Sequence, residues 1–99
     1  MDILKPAVAG TLESSDVEVS IEPCVKGLIV NVESSVMNQY GSQIKKVVEE
    51  TLKRLDVKKA IVNVNDKGAL DCTIKARVEC AVYRSCGISE NLPWGKEII

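Results

Sequence analysis

A change of hydrophobic period at Ser34-Ser35, from two residues to about 3.6, divides this chain into a strand-forming part and a helix that must pack on it. Before the change, Val17, Val19 and Ile21 alternate with Glu18, Ser20 and Glu22, and Leu28, Val30 and Val32 alternate with Ile29, Asn31 and Glu33. Each run is half apolar, as a strand with one covered face requires. Residues 23–27 supply a turn, so the two runs are expected to pair as an antiparallel hairpin with a longer loop. After the change, Val36, Tyr40, Ile44, Val47, Val48, Leu52 and Leu55 share one helical face, opposite Lys45, Lys46, Glu49, Glu50, Lys53 and Arg54. Glu49 with Lys53 and Glu50 with Arg54 stand four apart with the acid first, the favourable orientation. Gly41 weakens that helix and is read as permitting close approach to a neighbouring element.

Ala60, Val62 and Val64 alternate with Ile61, Asn63 and Asn65 in a third strand, which ends at Asp66-Lys67-Gly68. A second helix fits Leu70, Ile74, Val78, Ala81 and Val82, with Cys72, Ala76 and Cys80 widening its apolar side and Lys75, Arg77, Glu79 and Arg84 outward. The order β-β-α-β-α joins two strands through a helix, which makes those strands parallel neighbours. The expected fold is α+β, a two-layer sandwich of a small mixed sheet with both helices on one face. Residues 1–85 are expected to form the domain and residues 86–99 a tail, in which Trp94, Ile98 and Ile99 are anchors for the domain itself or for a partner. Ala7, Val8 and Ala9 fit either a short edge strand or a mobile arm.

With 99 residues the chain is one domain, able to bury roughly 60–70% of its unfolded surface. A net charge of −1 and three aromatic residues argue against a nucleic-acid partner, which needs a basic stripe or a stacking platform. No apolar run spans a membrane, and Met1-Asp2-Ile3-Leu4-Lys5-Pro6 does not read as a signal peptide, so a cytoplasmic location is expected. The four cysteines then stay as thiols, Cys72 and Cys80 packing structurally and Cys24 and Cys86 more exposed. Their spacing gives no metal site.

Glu13-Ser14-Ser15-Asp16 follows Gly10-Thr11-Leu12 in a chain with no histidine. A nucleophilic serine needs a neighbour to take its proton, and the usual base is missing. The chain has no Gly-x-Ser-x-Gly elbow, and no lysine stands at Ser-x-x-Lys spacing from this pair. Two readings remain: turn residues that bond their own backbone, or a serine that another enzyme modifies. The second Glu-Ser-Ser, residues 33–35, is an internal control, because it stands where a strand gives way to a helix and capping explains it. The first pair caps no helix. Residue chemistry alone does not choose between Ser14 and Ser15.

Three segments in order then carry a resemblance. Ala7-Val8-Ala9-Gly10-Thr11-Leu12-Glu13-Ser14-Ser15-Asp16-Val17, then Glu33-Ser34-Ser35-Val36 with Gln39-Tyr40-Gly41, then Asn65-Asp66-Lys67-Gly68-Ala69-Leu70-Asp71-Cys72 with Lys75-Ala76-Arg77-Val78, closely resemble the citrate lyase acyl carrier proteins, the gamma subunits of that complex. The resemblance covers roughly residues 3 to 84. It implies a non-catalytic carrier whose Ser14 holds phosphoribosyl-dephospho-CoA covalently through a phosphodiester, attached by a holo-carrier synthase. It also implies alpha (acyl transferase) and beta (citryl lyase) partner subunits, which exchange acetate for citrate on the arm and cleave the citryl thioester to oxaloacetate. Any divalent metal would belong to the lyase subunit. Glu13, Asp16, Glu18 and Glu22 have two readings, ordinary solvated carboxylates or a cluster that steers a basic partner surface. The competing reading is a non-enzymatic regulatory or interaction module.

Overall fold

A computed structural model describes residues 3–34 and 37–86. The elements run β1 (Ala7–Gly10), β2 (Val17–Pro23), β3 (Leu28–Ser34), α1 (Met37–Arg54), β4 (Ala60–Asp66) and α2 (Asp71–Ser85). The α+β class, the mixed sheet and the helix positions are as expected, with β1 the added edge strand. The expectations for Ser35, Val36 and the tail with Trp94, Ile98 and Ile99, and for the side chains of Tyr40 and Gly41, lie outside the described residues.

The sheet order is β1-β2-β4-β3, with β1 antiparallel to β2, β2 antiparallel to β4, and β3 parallel to β4. The hairpin expected between β2 and β3 is therefore absent, because β4 inserts between them. Pro23 and Leu28 both flank Ala60 from opposite sides, and the Ala60 N–H donates to the Gly27 carbonyl at 3.0 Å. Five Cα steps easily cover the roughly 10 Å of two strand spacings. Insertion is favoured by burial: Val19↔Val64 and Val64↔Val32 form one inward row, and Ile21↔Val62 and Val62↔Val30 the next. Ala60, Val62 and Val64 are at most 2% exposed, as a central strand allows. The opposite face is polar, with Ser20, Asn63 and Asn31 in one row and Asn31 Nδ2 donating to Asn63 Oδ1 at 3.0 Å.

Both helices cover the inward face, α1 against β3 and α2 against β1 and β2. Ile44, Val47, Val48, Thr51 and Leu52 of α1 are buried, and Thr51 returns its hydroxyl proton to the Val47 carbonyl at 2.8 Å. The helix stops in a Schellman turn, in which the Val57 N–H donates to the Leu52 carbonyl and the Asp56 N–H to the Lys53 carbonyl, both at 3.0 Å. Asp56 takes the left-handed position at φ 57°, where glycine is the usual occupant. Arg54 reaches across to Glu79 of α2, an interhelix pair in place of the expected contact with Glu50.

Helix α2 buries Ile74, Val78, Ala81 and Val82. At 100° per residue, Cys72 and Ala76 stand about 200° from Ile74, so both are exposed and the packing role expected for Cys72 is not found. Leu70 is 71% exposed because it is the N-cap, with extended backbone, and not part of the helical face. Cys80 is half-buried against the core, and so is Cys86, which is less exposed than its loop-like surroundings suggest. The chain before β1 is tied to the end of α2, where the Leu4 and Lys5 N–H groups share the Ser85 carbonyl at 3.0 and 3.2 Å. Arg84 donates to the Val8 carbonyl at 2.7 Å and so occupies part of the edge of β1.

Candidate functional site

The serine pair lies in the hairpin connection between β1 and β2, residues 11–16, at the end of the sheet where β4 passes into α2. Gly10 closes β1 with φ +91°, and a Cβ there would stand 1.8 Å from the Val17 carbonyl oxygen. Only glycine permits this close approach of the two strands. A turn follows, with the Asp16 N–H donating to the Glu13 carbonyl at 3.1 Å. Ser15 is its third residue, at φ 66°, the position where such turns need left-handed backbone. Ser14 and Ser15 are therefore the two central residues at the apex.

Two backbone bonds fix the turn to the β4–α2 connection. The Ser15 N–H donates to the Lys67 carbonyl at 2.8 Å, and the Lys67 N–H donates to the Asp16 carbonyl at 2.9 Å. They continue the β2–β4 ladder one step beyond the Val17↔Asp66 pair. Asp66 organises the receiving loop. Its carboxylate is buried and accepts from Gly68 N–H at 3.1 Å, Ala69 N–H at 2.9 Å and Ser34 Oγ at 2.8 Å, the partners that a buried charge requires. The hydroxyl of Ser34 thus joins the end of β3 to the same loop.

Asp16 is the second centre. Its Oδ2 accepts from Thr11 Oγ1 at 2.6 Å and its Oδ1 from the Val17 N–H at 2.7 Å, while Arg77 donates through Nε to Oδ1 at 3.2 Å and through Nη2 to Oδ2 at 3.0 Å. The Thr11 hydroxyl oxygen also accepts from the Glu13 N–H at 3.2 Å. The Thr11 hydroxyl, then the Val17 N–H and then Arg77 pull the Asp16 carboxyl down from 3.8 to about 2. A two-point guanidinium–carboxylate fork fixes direction as well as distance.

Ser14 and Ser15 are both exposed, and among the described residues no hydrogen bond engages either side-chain hydroxyl. Ser15 differs in having a committed N–H and a constrained backbone. Of the four expected steering carboxylates, Asp16 is engaged with Arg77 and its side chain is 15% exposed, whereas Glu13 and Glu22 stand free in solvent. Arg77, expected to point outward, lies 300° round from Ile74 and so flanks the buried stripe. Its importance was signalled by its place in the segment Lys75-Ala76-Arg77-Val78. Among the described residues no helix is long and apolar enough to cross a membrane.

The chain is a small α+β domain with a braced serine-bearing hairpin tip, and residues 4–85 match the family model described as malonate decarboxylase delta subunit (MdcD), an acyl carrier class. In agreement, the fold is similar to a chain in the crystal structure of a Pseudomonas malonate decarboxylase hetero-tetramer in complex with malonate, with TM-score 0.69 and 25% identity over 85% of this chain and 91% of that one. Within this class the chain belongs to the citrate lyase acyl carrier proteins. It is 58% identical to that protein of Streptococcus mutans over 99% of this chain and 95% of the relative, and 52% identical to that of Clostridium perfringens over 96% and 94%.

Proposed function

We propose that this chain is the acyl carrier subunit of a citrate lyase, with phosphoribosyl-dephospho-CoA joined to Ser14 through a phosphodiester. The observation that carries the reading is the unengaged Ser14 hydroxyl at the apex of a braced turn, in a chain 58% identical to a citrate lyase acyl carrier protein. The local chemistry fits such a group: the hydroxyl is exposed, and an ester there displaces nothing from the core. When bound, the arm supplies a thiol that holds acyl groups as thioesters.

The chain's own contribution is placement. The hairpin anchors the arm at one end of the sheet, and a tether of fixed origin raises the effective concentration of the carried group at each partner active site. Without histidine, the serine has no imidazole to activate it for hydrolytic work, in keeping with a carrier that leaves the chemistry to other subunits. Those subunits are the alpha acyl transferase and the beta citryl lyase, which together convert citrate to acetate and oxaloacetate, and a holo-carrier synthase attaches the arm. We assign residues 1–85 to the carrier domain, residues 86–99 to a tail, and the complex to the cytoplasm.

Replacement of Ser14 tests the reading. In cells that make the whole complex, Ser14→Ala is expected to block both the mass gain and citrate cleavage, while Ser15→Ala retains both. The opposite pattern would move the site to Ser15.

A further inference from the structure

The contacts that hold the Ser14 turn come from positions far away in the chain. Lys67 supplies a carbonyl and an N–H, and Arg77 supplies the fork that closes on Asp16. Within the hairpin, the Asp16 N–H bond to Glu13, the Thr11 hydroxyl bonds and the Val17 N–H bond to the Asp16 carboxylate support the turn, and Ser15 must hold φ 66°, which is costly for an L residue. A six-residue connection with so little local support samples many shapes on its own. The stem of Arg77 also approaches Gly10, since its Cδ lies 3.2 Å from where a Cβ on that glycine would be. One side chain of α2 therefore touches both ends of the hairpin connection.

We infer that Asp16 and Arg77 are positioning residues for arm attachment: the attaching enzyme recognises the folded turn that this pair holds, and not the Glu-Ser-Ser-Asp sequence as such. The inference rests on the assignment of the arm to Ser14. Attachment forms a bond from Ser14 Oγ to phosphorus, breaks the bond from that phosphorus to the phosphate leaving group of an activated phosphoanhydride donor, and passes the hydroxyl proton to the attaching enzyme or solvent. Neither Asp16 nor Arg77 takes part, because each is committed to the other. Their effect is to hold Ser14 and Ser15 in one turn conformation, so that the Ser14 hydroxyl is presented in a fixed place. This role differs from charge steering, in which Asp16 would act at long range through its free charge and any neighbouring carboxylate would serve as well.

The test is steady-state attachment by the purified holo-carrier synthase and its activated donor, followed by intact mass, on wild-type carrier and on Asp16→Asn, Arg77→Met, Arg77→Lys and Glu13→Gln. If the competent turn drops to about a tenth of the population, the KM for carrier rises about tenfold with kcat little changed. That rise is expected in Asp16→Asn and Arg77→Met, a smaller one in Arg77→Lys, and none in Glu13→Gln. The amides of Ser15 and Lys67 should exchange faster in the first two variants, while melting temperatures show that the domain stays folded. Arg77→Lys, which keeps a cation in place, supplies the comparison if Asp16→Asn fails to fold. A wild-type KM in the variants despite faster exchange would overturn the inference, and so would a KM rise that disappears at high salt, the mark of steering. A wild-type carrier that takes no arm would overturn this inference and the assignment of Ser14 together, whereas normal variants beside a modified wild type would remove this inference alone.

Discussion

Arg77 stands 61 residues from Asp16 in sequence and meets it in a two-point fork, Nε to Oδ1 at 3.2 Å and Nη2 to Oδ2 at 3.0 Å. That relationship joins the first helical turns of α2 to the hairpin that presents Ser14. The serine-bearing loop is thereby made part of the domain fold.

The Thr11 hydroxyl, then the Val17 N–H and then Arg77 give the domain an acid sensitivity centred on Asp16. Asp16 titrates at about 2 in the fold against an ordinary 3.8, so its ionised form is favoured by folding. Its contribution is complete above the unfolded value and is lost as pH falls from about 3.8 through about 2. Thermal melts from pH 6 to pH 2 should show wild type losing stability in that window, with Asp16→Asn following a flatter course. Parallel curves for the two proteins would contradict the assignment.

Gly10 and Gly68 separate backbone strain from lack of space. Both have positive φ, at +91° and +96°, but a Cβ on Gly10 meets the Val17 carbonyl at 1.8 Å and one on Gly68 meets nothing within 4 Å. Gly68→Ala is expected to cost about 1 kcal/mol and Gly10→Ala about 3 kcal/mol, because the strands must also part. Denaturant unfolding measures both, and equal losses would show that crowding at Gly10 is unimportant.

Asp56 offers a gain in stability. It holds the left-handed C′ position of the Schellman turn that ends α1, and its ion pair with Lys58, at 3.5 Å on exposed side chains, contributes little. Asp56→Gly should raise stability by about 0.5 kcal/mol, read as a rise of roughly 2–4 °C in Tm. A fall would mean that the other contacts of Asp56 outweigh the backbone relief.

Local periodicity was sufficient for β2, β3, β4 and the two helices and for most of their inward faces, but it left β1 open and set Leu70, Cys72 and Ala76 on the apolar side of α2, where they are exposed. Val17, Val19 and Ile21, Val62 and Val64, and Ile44, Val47, Val48 and Leu52 are buried where a period of two or of 3.6 places them. Pairing was not legible, because the alternation of β2 and β3 is the same whether they pair directly or on either side of β4. The decision lies in a strand that begins over thirty positions after β3 starts, and in the apolar rows that it completes. The site was legible as residue types, and Ser14 was named through resemblance. The brace was not. An aspartate after two serines reads as a turn former, and an arginine on the flank of an apolar stripe reads as solvated, until the topology brings α2 over the β1–β2 hairpin. Asp66, beside Lys67-Gly68 at the end of a strand pattern, likewise reads as a turn residue, although its burial makes it the organiser of the receiving loop.

The carrier reading is tested most directly by intact mass and peptide mapping of this chain produced together with the citrate lyase genes of its own organism. An added phosphoribosyl-dephospho-CoA on the peptide containing Ser14 is the expected result. An unmodified chain in an assembled, active complex would contradict it and favour a binding module without an arm.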